Sequence, residues 1–263
     1  MDRKAKTPAE ASGAAKALVK GLALVDLISE HPSGLRLGDV TERAGLPKGT
    51  ALRLLDTLQA HHLVRVDADG RYRLGPRCAA WGTAFLDGVE LRSLARDLLE
   101  RMVELSSETC HLGVEDGGRV LYLDKVDSPH SLRMVSRVGG TMPLHSSGLG
   151  KAMLPHLPAE FIDGVLAGGL ERRTENTIVD PEALRRELAR VRDQGYAVDD
   201  VENEEGVRCV AAPVFDHQGR VAAAISVAGP AHRMTRGRID TLSPKLMAAA
   251  RELSQRLGFT PPA

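Results

Sequence analysis

The sequence has few of the residues that characterise several protein classes. Its three cysteines, Cys78, Cys110 and Cys209, are widely separated, so neither an even disulfide framework nor a metal-binding spacing is present. Aromatic residues make up only 3% of the chain, and no apolar run approaches the length that crosses a bilayer. Residues 1–13 lack the apolar core of a secretory signal. These absences predict a protein of the reducing cytoplasm with no membrane segment.

Charge is balanced over the whole chain but not along it. The 35 Lys+Arg residues oppose 35 Asp+Glu residues, so the molecule as a whole is not a polycation. Residues 1–75 carry 12 Lys+Arg against 9 Asp+Glu, a net charge of +3, which leaves −3 for the remainder. A basic excess in one segment indicates where a nucleic acid would bind.

Residues 16–75 predict three short helices followed by a β-hairpin. The first helix runs from about Lys16 to Glu30, and the second ends at Gly45, which can adopt the left-handed conformation of a helix terminus. Leu46-Pro47 forms a tight turn into a third helix. Strands at 63–66 and 71–74 then flank a turn that contains Asp-Gly. This order is that of a winged helix-turn-helix, which places one helix in the DNA major groove.

The third helix has an apolar stripe that directs its polar residues outward. We predict that DNA is contacted by Lys48, Gly49, Thr50, Arg53 and Thr57 on this helix and by Arg65, Arg71 and Arg73 on the hairpin. Arg53 is the candidate for a base edge and Lys48 for a phosphate. Small helical units of this outline also serve as dimerisation or protein-binding modules. Salt-dependent binding to duplex DNA separates the two alternatives.

The chain from Cys110 onward predicts an antiparallel sheet with helices packed on it, so the overall fold class is α+β. The predicted strands are a hairpin of 110–114 with 120–126, a further strand from Leu132 to Val138, and a pair formed by 207–215 and 221–228. The predicted helices are 147–157, Pro181 to Gln194, and Asp240 to Leu257.

Apolar residues recur at helical spacing from about Cys78 to Ser106, which predicts a linker helix that continues into the second domain with a kink near Gly88. The apolar face of this stretch is either intramolecular core or a surface that pairs with a second subunit. The predicted organisation is a flexible arm (1–14), a DNA-binding domain (15–76), a linker helix (77–93) and a C-terminal domain (94–260).

Several motifs in the same order resemble the IclR-type bacterial transcriptional regulators. They are segments 44–50 (AGLPKGT), 70–76 (GRYRLGP), 143–145 (PLH), 148–152 (GLGKA), 195–200 (GYAVDD), 206–214 (GVRCVAAPV) and 225–230 (ISVAGP). The resemblance implies a GAF-like effector-binding domain, dimers or dimers of dimers, a palindromic double-stranded DNA operator, and association with the nucleoid when bound. The sequence departs from the family pattern at Gly49, where Ser is usual, and at Leu52, where a polar or aromatic residue is usual.

In family members that bind small oxo acids, the effector is surrounded by helix-start amides, an acidic residue, a cysteine and strand serines. Carried over residue by residue, the resemblance implies Gly148, Leu149, Asp199, Cys209 and Ser226. Ser147 begins the same helix, where it either helps to bind a carboxylate or simply caps the helix. Met134 and Val207 are predicted as apolar walls. Ala228 replaces a second family serine, so the effector is predicted to be a small organic or aromatic acid, with room for one larger or less polar than glyoxylate or pyruvate.

An enzyme is the alternative from another class. Cys209 with His111, or Ser147 with His145, supplies a nucleophile and a base. The sequence has no nucleophile elbow and no His-Glu-x-x-His zinc motif. The acidic run at 199–205 is either a cation site or a solvated loop. We therefore predict an effector-responsive transcription factor that is not an enzyme and needs no cofactor or metal.

Overall fold

The computed structural model describes residues 16–87 and 90–260. The chain folds into two compact units, one up to Gly88 and one from Val89 onward. This division falls inside the linker predicted for residues 77–93. The flexible arm predicted for residues 1–14 lies outside the described residues.

The N-terminal unit is a winged helix-turn-helix. Its elements are α1 (Lys16–Ser29), α2 (Leu37–Ala44), α3 (Lys48–Ala60), β1 (Val64–Val66), β2 (Tyr72–Leu74) and α4 (Pro76–Asp87). The predicted left-handed terminus of α2 is present, because Gly45 has φ 61° and its amide donates to the Glu42 carbonyl. Leu24, Ile28 and Leu55 are fully buried or nearly so and form the centre of the core between the helices.

The C-terminal unit is a six-stranded antiparallel sheet with helices on both faces. Its elements are α5 (Glu90–Ser106), β3 (Thr109–Asp116), β4 (Arg119–Val126), β5 (Thr141–Pro143), α6 (Gly148–Met153), a 3-10 turn (Leu154–His156), α7 (Ala159–Ala167), α8 (Pro181–Gln194), β6 (Ala197–Asp200), β7 (Val207–Phe215), β8 (Val221–Pro230) and α9 (Arg236–Arg256). The strand order is β5-β4-β3-β8-β7-β6. One core packs α5 and α9 against the sheet, and a second core packs α6 and α8 against the opposite face.

Three predictions about the C-terminal unit were wrong or incomplete. The predicted strand from Leu132 to Val138 is a loop, because Thr141–Pro143 pairs with β4 instead. α9 begins at Arg236 rather than Asp240, since the Thr235 hydroxyl caps it by accepting from the Arg238 amide. Strand β6 and helix α7 were not predicted. The helical stretch predicted from Cys78 to Ser106 corresponds to α4 and α5, and residues 88–89 between them lie outside the described residues.

Candidate functional sites

Helix α3 presents a polar side to solvent. It begins directly after Pro47, and its stripe of Ala51, Leu55 and Leu58 is buried in the core of the N-terminal unit. The predicted residues Lys48, Gly49, Arg53 and Thr57 are exposed, whereas Thr50 is half-buried. The Thr57 hydroxyl donates to the Arg53 carbonyl at 2.9 Å. Among the described residues, nothing forms a hydrogen bond or ion pair with the side chains of Lys48 and Arg53, so both are available to a partner.

The hairpin of β1 and β2 uses two of its three predicted arginines internally. Arg73 donates to Asp67 Oδ2 at 2.7 Å and to the Pro32 carbonyl, and its hydrogen bond holds the pKa of Asp67 below the usual value. Arg71 donates to the Gly34 carbonyl at 3.2 Å. Arg65 lies opposite Arg73 in the strand register and is exposed. Arg71 and Arg73 therefore brace the hairpin against the loop after α1, and Arg65 has no partner in the part of the chain that the structure describes.

The predicted effector residues come together around one cavity in the C-terminal unit. The lining includes all eight of them, Met134, Ser147, Gly148, Leu149, Asp199, Val207, Cys209 and Ser226, together with His111, Tyr122, Met142, Asn203, Glu204 and Ala228. They come from strands β3 to β8, from the start of α6 and from two loops. The free volume is about 10 Å³, close to the space that one water molecule occupies. The walls are therefore almost in contact in this closed arrangement.

Glycines allow α6 to lie directly on the sheet. A Cβ at Gly148 would lie 2.8 Å from Cys209 Sγ on β7, and one at Gly150 would lie 2.3 Å from the Leu144 carbonyl oxygen. Ser147 Oγ accepts from the Gly150 amide at 3.1 Å and donates to the Pro143 carbonyl at 2.6 Å. Ser147 thus caps the helix, as the capping alternative predicts. The amides of Gly148 and Leu149 have no acceptor among the described residues.

A strained turn after β6 forms another wall of the cavity. Asp199 Oδ1 accepts from the amides of Glu202 at 2.7 Å and Asn203 at 3.2 Å. Val201 has φ 61°, a conformation that is unfavourable for a β-branched residue. The Thr177 hydroxyl holds the turn by donating to the Glu202 carbonyl at 2.7 Å. Several contacts therefore fix the position of the carboxyl group of Asp199.

Lys151 supports this turn from α6. The side chain is fully buried, and its ammonium donates to Glu202 Oε1 and lies 3.7 Å from Glu187 Oε1. Lys151 is not part of the cavity lining. The buried lysine is therefore paired with carboxylates of its own chain.

Burial sets the protonation of the cavity side chains. It raises the pKa of Asp199 to about 7, although two backbone amides and Lys151 oppose the shift. Burial lowers the pKa of His111 to about 3, so the ring is neutral. Its nitrogens contact Ser136 Oγ at 2.8 Å and Ser226 Oγ at 3.4 Å. Burial also raises the pKa of Cys209, which keeps the thiol protonated.

The nucleophile and base pairs considered for an enzyme do not form. Among the described residues, Cys209 and His111 share no hydrogen bond, and the Ser147 hydroxyl donates to a backbone carbonyl rather than to His145. The His145 ring contacts the Glu171 carbonyl at 2.9 Å. Residues 16–87 and 90–260 contain no group of three His, Cys, Asp or Glu residues that could hold a metal ion.

Comparison with known proteins identifies the family. Residues 83–255 match the model of the bacterial transcriptional regulator IclR C-terminal domain, and residues 17–68 match the IclR helix-turn-helix domain. The chain belongs to the IclR family. It is therefore a transcriptional regulator with a helix-turn-helix DNA-binding domain and an IclR C-terminal domain.

Full-length relatives of this IclR-family chain are regulators rather than enzymes. The HTH-type transcriptional regulator BhcR of Paracoccus denitrificans is 39% identical over 94% of this chain and 88% of its own length. The transcriptional repressor IclR of Escherichia coli is 35% identical over 95% and 93%. The crystal structure of an IclR homologue from Microbacterium hydrocarbonoxydans complexed with 4-hydroxybenzoate superimposes with a TM-score of 0.79, at 28% identity over 92% and 99% of the two chains.

Besides Ala228, which the resemblance had already placed beside the effector, five lining residues of the cavity were not predicted as effector residues: His111, Tyr122, Met142, Asn203 and Glu204. His111 was considered only as a base, and Tyr122 only as part of a strand. A signal was available for Asn203 and Glu204, because they lie within the acidic run at 199–205 that begins with Asp199.

In the part of the chain that the structure describes, no helix has the length and apolarity to span a membrane.

Proposed function

We propose that this IclR-family regulator binds a small-molecule effector in the cavity between α6 and the sheet, and that occupancy changes the affinity or the geometry of its complex with a DNA operator. One observation carries the proposal. The eight residues expected from sequence at an effector site, although spread from position 134 to position 226, all line one cavity.

The effector that fits this lining best is a small organic or aromatic acid. Met134, Met142 and Val207 supply apolar surface, while Ser226 and Asn203 supply neutral polar groups. The relative crystallised with 4-hydroxybenzoate supports a planar acid of this class. Because the cavity holds about one water molecule, binding requires a wall to move outward. Met134 is the best candidate for that wall, since it lies on a loop without strand pairing.

The DNA-binding surface in this proposal is the exposed side of α3 with the neighbouring hairpin. Arg53 reads a base edge and Lys48 contacts phosphate, with Gly49, Thr50 and Thr57 beside them. Arg65 contacts the backbone, and Arg71 and Arg73 position the hairpin that carries it. Because a single recognition helix buries little surface, a homodimer or a dimer of dimers reads two half-sites of a palindromic operator. The protein acts in the cytoplasm and is associated with the nucleoid when bound.

Strand β4 offers a route from the cavity to α5. Tyr122 of this strand lines the cavity, and Asp124, two residues further on, is buried. Two arginines near the start of α5 approach the Asp124 carboxylate, Arg92 at 3.6 Å and Arg96 at 3.4 Å. A displacement of β4 by the effector therefore changes the contacts of α5, the first helix of the C-terminal unit.

Two matched variants of the full chain test the DNA-binding part by gel shift on its own upstream region and on random duplex DNA. Arg53→Ala should weaken specific binding by about 1 to 3 kcal/mol and relax sequence preference, because a base contact is lost. Lys48→Ala should weaken binding to both DNAs alike, because phosphate contacts are independent of sequence. Equal loss on specific and random DNA for Arg53→Ala contradicts the base-reading role.

A thermal-shift screen of organic and aromatic acids tests the effector part, because a ligand that binds the folded state raises the unfolding temperature. A bound acid should change operator affinity by about 1 to 3 kcal/mol. A ligand that occupies the cavity and leaves both the affinity and the geometry of the DNA complex unchanged contradicts the sensing function.

A further inference from the structure

The two carboxyl oxygens of Asp199 have different surroundings. Oδ1 accepts both backbone hydrogen bonds, from Glu202 and Asn203. Among the described residues, Oδ2 has no hydrogen-bond partner. The residue is 5% exposed and lines the cavity, opposite Cys209 in the register of β6 and β7. Asp199 thus has one oxygen engaged in its own turn and one left for a ligand.

The cavity lining offers no cationic side chain that could pair with the carboxylate of an acid. Its 14 lining residues include neither Lys nor Arg. Lys151, which acts on Asp199 from α6, is held by Glu202, with Glu187 of α8 behind it. The lining instead contains the exposed carboxylate of Glu204. An ionised Asp199 would therefore place a second negative charge beside the carboxylate of the effector.

The remaining titratable groups around Asp199 are neutral. His111 on β3 is uncharged, because burial lowers its pKa to about 3. Cys209 on β7 and Tyr122 on β4 keep their protons, because burial raises the pKa of both. None of these three groups supplies the positive charge that would stabilise two carboxylates side by side.

We propose that Asp199 binds the effector while its own carboxyl group is protonated and neutral. Its Oδ2–H donates a hydrogen bond to the effector carboxylate, so that the effector and one proton bind together. This inference rests on the proposed function, which makes the effector an acid. Burial of Asp199, which raises its pKa to about 7, makes the proton available near neutral pH. An O–H···O⁻ bond of this kind is short and strong because the acceptor is charged.

The sign of the pH dependence follows from the proton balance. Below pH 7 the free protein already carries the proton, so the dissociation constant for the acid is independent of pH until the acid itself is protonated. Above pH 7 the free protein must first take up one proton. The dissociation constant then rises about tenfold per pH unit, because one proton enters the complex.

Isothermal titration calorimetry of the full chain at pH 6, 7, 8 and 9 tests the inference, with benzoate, 4-hydroxybenzoate, pyruvate and glyoxylate as probes. We expect at least one of these acids to bind at pH 6 and its affinity to be about 100-fold weaker at pH 9. Comparison of binding enthalpies in buffers of different ionisation enthalpy should show that nearly one proton is taken up per acid bound at pH 8. Asp199→Asn keeps an acceptor at Oδ1 and places an N–H donor at Oδ2. This variant should therefore bind the same acid with no pH dependence.

Asp200→Asn is the matched control, because Asp200 is the neighbouring carboxylate on β6 and pairs with Arg208 and Arg236 rather than lining the cavity. It should retain the wild-type pH profile. Binding that is equally tight at pH 6 and pH 9 in the wild type, or an Asp199→Asn profile as steep as that of the wild type, overturns the inference and leaves the effector function intact. Failure of all four acids at pH 6 overturns the acid effector itself.

Discussion

Replacing Lys151 by methionine should strongly destabilise the C-terminal unit, although the two side chains are similar in length. Lys151 is fully buried, and its ammonium is the partner of Glu202, which is itself 5% exposed. Methionine fills the space of the lysine stem but leaves the carboxylate unpaired in the protein interior. Breaking a buried ion pair by removing one partner costs about 3 to 5 kcal/mol.

A double variant distinguishes lost pairing from lost packing. Lys151→Met with Glu202→Gln removes both charges of the pair, while Glu187 keeps its ion pair with Arg190 at 2.8 Å. The turn itself stays held, because the Thr174 hydroxyl still donates to the Val201 carbonyl and the Thr177 hydroxyl to the Glu202 carbonyl. Replacing a buried pair by neutral groups is often close to neutral in free energy. The free energy of unfolding of the double variant should therefore lie within about 1 kcal/mol of the wild-type value.

Differential scanning calorimetry is the appropriate assay, because the single tryptophan, Trp81, lies in the N-terminal unit and does not report on Lys151. For a unit of this size the loss corresponds to a decrease in the unfolding temperature of roughly 6 to 20 °C. A cost below about 1 kcal/mol for Lys151→Met refutes the reasoning. So does a double variant as unstable as the single one, because packing rather than charge would then explain the loss.

Three further predictions address the cap of α2, the titration of Asp199 and the choice of effector. Gly45→Ala should destabilise the N-terminal unit by about 1 kcal/mol in thermal unfolding, since Gly45 has φ 61°, whereas Gly38→Ala within α2 should stabilise it slightly. Burial raises the pKa of Asp199 from 3.8 to about 7. The contribution of its protonated form to the free energy of unfolding is therefore fully present below pH 4 and is lost as the pH rises through 7. The free energy of unfolding of Asp199→Asn, measured by calorimetry relative to wild type, should therefore rise by a few kcal/mol from pH 4 to pH 8. A difference in stability between the two proteins that does not change with pH contradicts this. Ala228→Ser adds a hydroxyl to the cavity lining and should favour glyoxylate over 4-hydroxybenzoate by about 5- to 10-fold in titration calorimetry; an unchanged ratio contradicts the role of this position.

Local signals were sufficient to predict the N-terminal unit. Gly45 and Pro47 end one helix and begin the next, and Asp69-Gly70 forms the predicted hairpin turn, with φ 73° at Gly70. Each of these features depends on a few adjacent residues. The roles of Arg71 and Arg73 depend instead on the carbonyl groups of Gly34 and Pro32, more than 35 positions away, which no local pattern specifies.

The C-terminal unit was harder to predict because its sheet is built from distant pairings. The apolar residues from Leu132 to Val138 have the composition of a strand, yet β4 pairs with Thr141–Pro143. The cavity was located through motifs that resemble the family, which identified the start of α6 and the segments around Asp199 and Cys209. Tyr122 was missed as a lining residue because a register shift between β3 and β4 at Leu112/Gly113 decides which residues of β4 share a face with His111.

The segment Gly148-Leu149-Gly150-Lys151 bears on the proposal that an acidic effector is bound by neutral groups. A lysine after a glycine-rich helix start is the arrangement that other proteins use to bind phosphate with a cation. Here α6 lies so close to the sheet that Lys151 is fully buried and paired with Glu202. The lysine therefore stabilises the turn that carries Asp199 instead of binding a ligand. Because the charge of Lys151 is already balanced within the fold, the proposed acidic effector would obtain its hydrogen bonds from uncharged donors. A protonated Asp199 would be one such donor, and the turn already holds it in place.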